Sequence, residues 1–296
     1  MSHLRLLAQT IARHVPGDGM FKSAIPGVTL IRSSAPTMPM PVIYEPSVCF
    51  VAQGRKRALL ADTVYDYDPA RHLIASVGLP VMGAVIEASE SEPYLSVQLD
   101  LDMQELSELA IRFPAADGAP MGAPAGLSLN QTTAPVQDAL VRLLALLDTP
   151  ADIEAIAPLT IREIHYRLLS GEGGQVIRQM AQADSRLNRI ARAIVWIRRH
   201  FREQWGIEDA AEVAALSRST FHLHFKAITA MSPLEFRTQL RLQEARRLMI
   251  SDAMEAAAAA FQVGYDSPSQ FSRDYSRFFG KPPAADTRRL REAIGR

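Results

Sequence analysis

Two short segments near the C-terminus carry side chains whose types and spacing suit contacts with DNA. The segments supply Ser219, His222, Leu223 and Lys226, and then Ser269, Gln270, Ser272 and Arg273. The planar guanidinium of Arg273 matches the O6 and N7 atoms of guanine, and the Gln270 amide matches adenine. The serines and Lys226 suit phosphate oxygens, which hold a protein in register on the duplex. Reading DNA in this way needs a helix that presents each set on one face.

Each segment belongs to one of two copies of the same pattern. Ser217, Ser219, Phe221, Phe225 and Pro233 recur fifty residues later as Ser267, Ser269, Phe271, Tyr275 and Pro283. In each copy, a helix of small residues leads through a short turn into a second helix, whose two aromatic residues lie four apart on one buried face. A helix, a short turn and a second helix form the helix-turn-helix unit, whose second helix enters the major groove. Two such units in tandem predict a DNA-binding protein.

The turns of the two copies differ in one residue type. Gly264 stands where the second copy must reverse direction, and glycine adopts a positive φ at little cost. In the first copy Ala214 or Ala215 takes this place, so that turn either avoids a left-handed residue or is strained. Ser217 and Ser267 follow the turns, and we expect both to be N-caps of the second helices.

Residues 190–290 resemble the DNA-binding domain of the AraC/XylS family of bacterial transcription regulators. The matching segments are IARAIVWIRRHF, LSRSTFHLHFKAITAMSPLEF, RLQEARRLM and VGYDSPSQFSRDYSRFFGKPP. The resemblance implies two helix-turn-helix subdomains, joined by a long helix over about residues 233–250 and addressing two successive faces of the major groove. Two positions depart from the family pattern, because Leu223 stands where many members carry Arg and Ala230 where most carry Gly. We therefore expect the first reading helix to contribute less base specificity than the second.

The charge of the chain is unevenly distributed. From Ser185 onward there are 19 Lys and Arg against 12 Asp and Glu, which leaves 13 against 20 in the rest, so +7 and −7 cancel to zero. DNA interacts with local positive charge, so a neutral total does not argue against DNA binding. A helix over residues 188–203 illustrates the pattern. Its apolar stripe leaves four arginines outside, namely Arg189, Arg192, Arg199 and Arg202.

The first half of the chain is predicted to be a β-sandwich or small barrel. Six β-branched-rich runs with turn residues between them lie at residues 28–32, 48–53, 57–61, 73–77, 81–87 and 95–101. In the last run Leu95, Val97, Leu99 and Leu101 alternate with Ser96, Gln98 and Asp100, which predicts one buried and one wetter face. Residues 26–109 resemble the cupin-like N-terminal domain found on a branch of the same family. This resemblance implies a small-molecule sensor.

Catalytic and metal sites are not indicated by the sequence. His72 is the only histidine in the predicted strands, so a multi-histidine metal site is absent. No GxSxG elbow, phosphate-binding GxxxxGK[ST] loop or HExxH pair occurs. We expect no cofactor and no enzymatic activity. The competing hypotheses are a metal-dependent enzyme and an architectural or ligand-storage protein that binds DNA without regulating.

The single cysteine, Cys49, lies in a predicted strand of the sensor. A free cysteine is usually a small buried hydrophobe. Its thiol could instead sense an oxidant or electrophile, if Arg55, Lys56 or Arg57 approached the sulfur and lowered its pKa. One cysteine also excludes an internal disulfide framework and suits a reducing cytoplasm. No apolar run is long enough to span a bilayer, and the N-terminus lacks a signal peptide, so we expect a cytoplasmic protein without membrane contact.

The segment between sensor and DNA-binding domain is predicted to be helical. A loop rich in proline, glycine and alanine over residues 113–124 is expected to cap or flank the barrel. An apolar stripe at helical spacing follows, and it packs either on its own domain or against a second copy in a dimer; its residues are Val136, Leu140, Leu143, Leu144 and Leu147.

Together these features predict an α+β protein with a cupin-like β-barrel or sandwich and an all-α C-terminal domain. The expected divisions are an N-terminal helix or arm (1–25), the sensor (26–134), a dimerisation and connector region (135–184) and the tandem helix-turn-helix domain (185–296). The predicted function is ligand-responsive transcription regulation. The expected partners are double-stranded DNA, a small-molecule effector, a second copy of the chain, and RNA polymerase if the protein activates transcription.

Overall fold

The computed structural model describes residues 2–114 and 125–294. The chain forms two compact units, which we call the N-terminal unit (Met1–Ala191 with Ala227–Ala230) and the C-terminal unit (Arg192–Lys226 with Met231–Arg296). The division into four segments at residues 25, 134 and 184 stays a prediction. Residues 115–124 of the predicted loop lie outside the described part of the chain.

Two antiparallel sheets form the framework of the N-terminal unit. The described strands are β1 (Gly19–Lys22), β2 (Val28–Ser33), β3 (Met40–Tyr44), β4 (Ser47–Gln53), β5 (Arg55–Leu60), β6 (Thr63–Tyr67), β7 (Arg71–Ala75), β8 (Leu79–Glu87), β9 (Tyr94–Asp100) and β10 (Leu127–Gln131). One sheet has the order β1-β2-β9-β4-β7-β10, and the other has the order β3-β8-β5-β6. The six predicted strands are present, whereas β1, β3, β6 and β10 were not predicted. The fold class, a β-sandwich followed by a helical region, is confirmed.

Strand β9 departs from its predicted pattern at one residue. Asp100 is exposed and Gln98 is half-buried, but Ser96 is completely buried, so the wetter face was wrongly predicted there. The reason is that β9 lies between β2 and β4 inside the larger sheet. The face that carries Ser96 also carries Tyr94, which lies beside Tyr44 of the smaller sheet. This face is therefore turned to the interior of the sandwich.

In the described part of the N-terminal unit, five α-helices accompany the sheets. They are α1 (His3–His14), α2 (Met103–Arg112), α3 (Ala134–Ala145), α4 (Ile153–Ser170) and α5 (Gly174–Ala181). Four of the five stripe residues, Val136, Leu140, Leu143 and Leu144, lie on α3 and are buried, because α3 packs between α1 and α4. The stripe belongs to the core of its own unit and is not available as a dimer face.

The remaining helices build the two helix-turn-helix copies. They are α6 (Arg186–His200), α7 (Ile207–Val213), α8 (Arg218–Thr229), α9 (Pro233–Ser251), α10 (Ala256–Gln262), α11 (Pro268–Phe279) and α12 (Pro283–Ile294). The long joining helix expected over residues 233–250 is α9. Its C-terminal half packs on α10, α11 and α12 through a core that includes Leu242, Met249 and Phe271.

Candidate nucleic-acid interface

Helices α8 and α11 carry the eight side chains that were predicted to contact DNA. Ser219, His222 and Lys226 on α8, and Ser269, Gln270 and Arg273 on α11, are all exposed. Leu223 is 66% exposed, although its side chain is apolar. Ser272 is half-buried, and its carbonyl accepts a hydrogen bond from the Ser276 hydroxyl at 2.7 Å. Contact of these side chains with DNA stays a prediction.

The opposite face of each reading helix fixes it to the scaffold. Phe221 and Phe225 of α8 are fully buried, and the Phe225 ring meets Phe236 of α9 edge-on, with centroids 5.4 Å apart. Phe271 and Tyr275 of α11 are buried in the same way. The aromatic pairs therefore orient the exposed residues outward, as their spacing predicted.

Serine caps open both reading helices. The Thr220 N–H donates to the Ser217 hydroxyl at 3.3 Å, and the Gln270 N–H donates to the Ser267 hydroxyl at 3.4 Å. These bonds satisfy amides that have no partner within the helix. The predicted N-caps are confirmed, and they fix where each exposed face begins.

The turns before these caps differ in length and in residue type. The first turn has four residues (214–217) and the second has five (263–267). Ala214 is right-handed, whereas Ala215 has a φ of +52°, so the first turn contains a left-handed alanine. Gly264 has a φ of +91°, and a Cβ there would lie 2.1 Å from the Arg202 carbonyl oxygen. Only the second turn therefore requires glycine on steric grounds.

A second left-handed alanine follows α8. Ala230 has a φ of +60°, and Gly280, fifty residues later, has a φ of +73°. The departure from the family glycine at Ala230 thus leaves the backbone conformation unchanged. The alanine bears the steric cost that glycine avoids.

A buried ionic network holds α11, and sequence reasoning missed it. Arg246 of α9 donates from Nε and Nη2 to the two Asp286 oxygens at 2.8 and 3.2 Å, and the Tyr275 hydroxyl donates to Asp286 Oδ2 at 2.9 Å. Asp286 is fully buried, and Arg246 is 5% exposed. Burial raises the pKa of Tyr275, so its hydroxyl remains a donor. Fifty residues earlier, Phe225 and Phe236 occupy the positions of Tyr275 and Asp286. The sequence signal for the network was therefore that both apolar residues of the first copy are replaced by polar ones in the second.

Two arginines that contribute to the positive charge bind other residues of the C-terminal unit. Arg241 donates to the carbonyls of Phe201 and Glu203 at 2.6 and 3.0 Å. Arg202, one of the four arginines placed outside the apolar stripe, pairs with Glu244 at 3.0 Å. Arg273, in contrast, forms no ion pair with the residues that the structure describes. Its guanidinium is available for a ligand.

Cys49 lies on β4 and is 8% exposed. Of the three basic residues considered near it, Arg55 pairs with Glu87 and Arg57 with Asp66, at the outer face of β5. Only Lys56 approaches Cys49 closely enough to interact with it electrostatically. A sensing reagent would have to enter the sandwich to reach the sulfur, and sensing through Cys49 stays a prediction.

His72, on β7, is 4% exposed, and burial lowers its pKa to about 4. It is therefore neutral at physiological pH, and its Nδ1 lies 3.2 Å from the Thr132 hydroxyl. Within residues 2–114 and 125–294, no three or more His, Cys, Asp or Glu side chains converge as metal ligands would. None of the described helices combines the length and apolar character needed to cross a bilayer.

Relatives and solved structures resemble this arrangement. An AraC-like transcription regulator of Streptomyces lividans is 36% identical over 94 residues, which are 32% of this chain and 31% of that protein. The transcriptional activator RhaS of Klebsiella pneumoniae (strain 342) is 26% identical over 58% of this chain and 60% of its own length. The structure of an apo ToxT variant from Vibrio cholerae shares the fold at 10% identity, with a TM-score of 0.56 over 90% of this chain and 98% of that one. The chain thus spans about a third of the length of the first of these relatives.

Two family profiles match the chain in succession. A helix-turn-helix domain profile matches residues 210–289, which contain both reading helices. The profile of the AraC-type transcriptional regulator N-terminus matches residues 24–176, which contain β2 to β10 and the helices α2 to α4. The resemblance to AraC-type regulators is therefore confirmed. Because the second profile covers more than half of the 296 residues, the chain belongs to the family of AraC-type transcriptional regulators.

Proposed function

We propose that this protein binds specific DNA sequences and regulates transcription in response to a small molecule held by its N-terminal unit. The observation that carries the proposal is the duplicated helix-turn-helix, in which α8 and α11 each expose polar side chains opposite a buried aromatic pair. Family membership supports the same function. The net charge of +7 from Ser185 onward favours association with a polyanion.

In the proposed complex the two reading helices have different tasks. Arg273 bonds a guanine through O6 and N7, and Gln270 bonds an adenine. Lys226 and the serines bond phosphates and set the register. Leu223 has no hydrogen-bonding group, so it can contribute only an apolar contact such as one with a thymine methyl. Most of the base selection is then made by α11.

We further infer that the protein works as a homodimer in the cytoplasm, and contacts RNA polymerase if it activates transcription. Membership of a family of regulators supports a regulatory role over an enzymatic one. Because the α3 stripe is buried in its own unit, a dimer must use another surface. Light scattering across a range of protein concentrations tests the dimer, and a mass of one chain at all concentrations would exclude it.

Selection of random DNA fragments by the purified full-length protein tests the proposed function. We expect an enriched motif with two elements in successive turns of the major groove, one of which loses base preference in Arg273→Ala. Arg277→Ala is the control, because Arg277 also lies on α11 but pairs with Asp274 at 3.0 Å. Equal affinity for all sequences, with only a salt dependence, would instead support an architectural protein.

A further inference from the structure

The interior of the β-sandwich contains polar side chains where two apolar sheet faces would normally meet. Cys49 and Tyr94 of the larger sheet lie beside Tyr67 of the smaller sheet, and Ser96 lies beside Tyr94. Lys56, paired with Tyr67 on β5 and β6, also approaches Cys49. The Tyr44 and Tyr67 hydroxyl oxygens are 3.3 Å apart. The Lys56 amine lies 5.5 Å from the centre of the Tyr44 ring. We call this set the interior cluster: Tyr44, Cys49, Lys56, Tyr67, Tyr94 and Ser96.

The two sheets bring these groups close together. Burial, and then the neighbouring Cys49, Tyr44 and Tyr94 groups, raise the pKa of Tyr67 well above its usual range. Burial and the adjacent Cys49 likewise raise the pKa of Tyr94. Both phenols are therefore neutral at physiological pH and can donate hydrogen bonds.

Two hydroxyls of the interior cluster lack partners. Tyr94 and Ser96 are each 0% exposed. Tyr94 lies close to Ser96 and Cys49, but neither the Tyr94 oxygen nor the Ser96 oxygen has a partner with hydrogen-bonding geometry among the residues that the structure describes. Folding removes both groups from water without replacing that bond, and such groups are rare in native proteins. They are the groups that a ligand would satisfy.

Lys56 adds a positive charge without a counter-ion. Its neighbours Arg55 and Arg57 lie on the outer face of β5 and pair with Glu87 and Asp66. Lys56 is half-buried, and within the described part of the chain it forms no ion pair. Burial lowers the pKa of its amine, but the neighbouring Tyr44 and Cys49 groups raise it by more, so that the pKa lies above its ordinary value. An ammonium inside a β-sandwich is costly unless an anion compensates it.

We propose that the interior cluster binds the carboxylate of a small organic acid, which pairs with Lys56 and accepts hydrogen bonds from Tyr94 and Ser96. This inference rests on the proposed function, because it names the chemical class of the effector. The cluster contains hydroxyl donors and one amine but no carboxylate, so it favours an anion over a cation. One ammonium balances one negative charge, and the surrounding aromatic rings suit the organic part of the ligand.

Calorimetric titration of the full-length protein tests the ligand class. The probes are acetate, benzoate, 4-phenylbutyrate and octanoate, each paired with its uncharged primary amide. We expect at least one acid to bind and its amide to bind at least an order of magnitude more weakly. Lys56→Met should abolish binding, and Tyr94→Phe should weaken it. Arg57→Met is the matched control on the same strand, and it should bind as the parent does.

Thermal unfolding without ligand separates a binding role of Lys56 from a structural one. Removing an uncompensated charge should raise the Tm in Lys56→Met, whereas the loss of a structural contact would lower it. Lys56→Gln provides the same comparison if the methionine variant does not fold. Equal binding of acids and amides, no binding of any acid, or unchanged binding by Lys56→Met would overturn the proposal. DNA selection by the same preparations tells the two proposals apart. If the protein selects a specific motif but binds no acid, only the proposed acid site is rejected. If it selects no DNA sequence, the proposed function in sequence-specific regulation is rejected.

Discussion

In the first helix-turn-helix copy Phe225 packs edge-on against Phe236, whereas fifty residues later Tyr275 donates to Asp286, which also binds Arg246. The two backbones are alike, so the same position of a reading helix is reached once by apolar packing and once by a buried ionic network. Apolar packing depends on volume and tolerates similar side chains. The network depends on all of its members, because removing one leaves a buried charge or an unpaired polar group. The copy with Arg273 thus has the more strictly determined scaffold.

Among the substitutions that test this difference between the two copies, we expect Arg246→Met to have the largest effect on stability. It removes the buried guanidinium that binds both Asp286 oxygens and leaves the carboxylate only its longer contact with the more exposed Arg289, at 3.3 Å. We therefore expect the unfolding free energy to fall by about 3 kcal/mol, the lower end of the cost of breaking a buried ion pair. Urea unfolding followed by tryptophan fluorescence measures the loss, because Trp196 and Trp205, the only two tryptophans in the sequence, both belong to the C-terminal unit.

Arg247→Met is the control for this experiment. Arg247 is the next residue on α9 but is exposed and pairs with Glu244 at 2.9 Å, so its loss should change stability by less than about 1 kcal/mol. The triple change Arg246→Met, Tyr275→Phe and Asp286→Phe imitates the first copy and should recover much of the lost stability. Equal effects of Arg246→Met and Arg247→Met would show that the network does not stabilise α11.

Substitutions in the turns before α8 and α11 should change stability by a smaller amount. Gly264→Ala would place a Cβ against the Arg202 carbonyl at a φ of +91°, and we expect it to destabilise the C-terminal unit by at least about 2 kcal/mol. Ala215→Gly is the opposite test in the first copy. Since Ala215 already bears a φ of +52°, glycine there should be neutral or stabilising by up to about 1 kcal/mol. If both changes destabilised the protein equally in urea unfolding, the proposed difference between the turns would be wrong.

Measurements of DNA affinity test whether the two reading helices, α8 and α11, differ in base specificity. Arg273→Ala should weaken binding to the selected site by about 1–3 kcal/mol and relax base choice at one position. Leu223→Ala, at the corresponding position of α8, should cost less, because it removes no hydrogen bond. Fluorescence anisotropy with the selected site and single-base variants measures both. A larger loss from Leu223→Ala would reverse the assignment of specificity to α11.

The smallest expected effect concerns a cap that only the first copy has. Ser232 and Glu235 form a capping box at the start of α9, whereas Pro282 precedes α12. The hydrogen bond from the Ser232 N–H holds the pKa of Glu235 below its ordinary 4.5, so the ionised side chain stabilises the fold above that pH and the benefit is lost on acidification. Glu235→Ala should cost up to about 1 kcal/mol at neutral pH. The difference from the parent in urea midpoint should shrink as the pH falls below 4.5 and through the lowered pKa of Glu235, and a difference independent of pH would contradict this account.

The sequence predicted the elements whose signals are local and repeated. The recurrence at fifty residues, the aromatic pairs and the serine caps together indicated α8 and α11. Strands β3 and β6 gave weaker signals, because Pro41 and Asp66 interrupt runs of only five residues. Ser96 was placed on a wet face because alternation along one strand does not reveal whether a second sheet covers it.

Other features depend on contacts between distant residues. Arg246 and Asp286 lie forty residues apart, so their pairing cannot be read from helical spacing. Lys56 lies between two arginines in sequence, and only the pleat separates it from them by turning it inward. The apolar stripe of α3 looked equally suited to a dimer and to its own core. The packing of α1 and α4 against α3 shows that the stripe contributes to the core of its own unit.

Helix α9 has a further consequence for the DNA that the protein can recognise. This helix has 19 residues and begins directly after the first helix-turn-helix copy. Its last turns pack against the helices of the second copy. Each residue added to an α-helix lengthens it by 1.5 Å and rotates the next segment of the chain by about 100°. Insertion of one residue into α9 would therefore turn α11 out of phase with α8 around the double helix. In the proposed DNA complex, the number of residues in α9 would therefore set the spacing between the two elements of the recognised site.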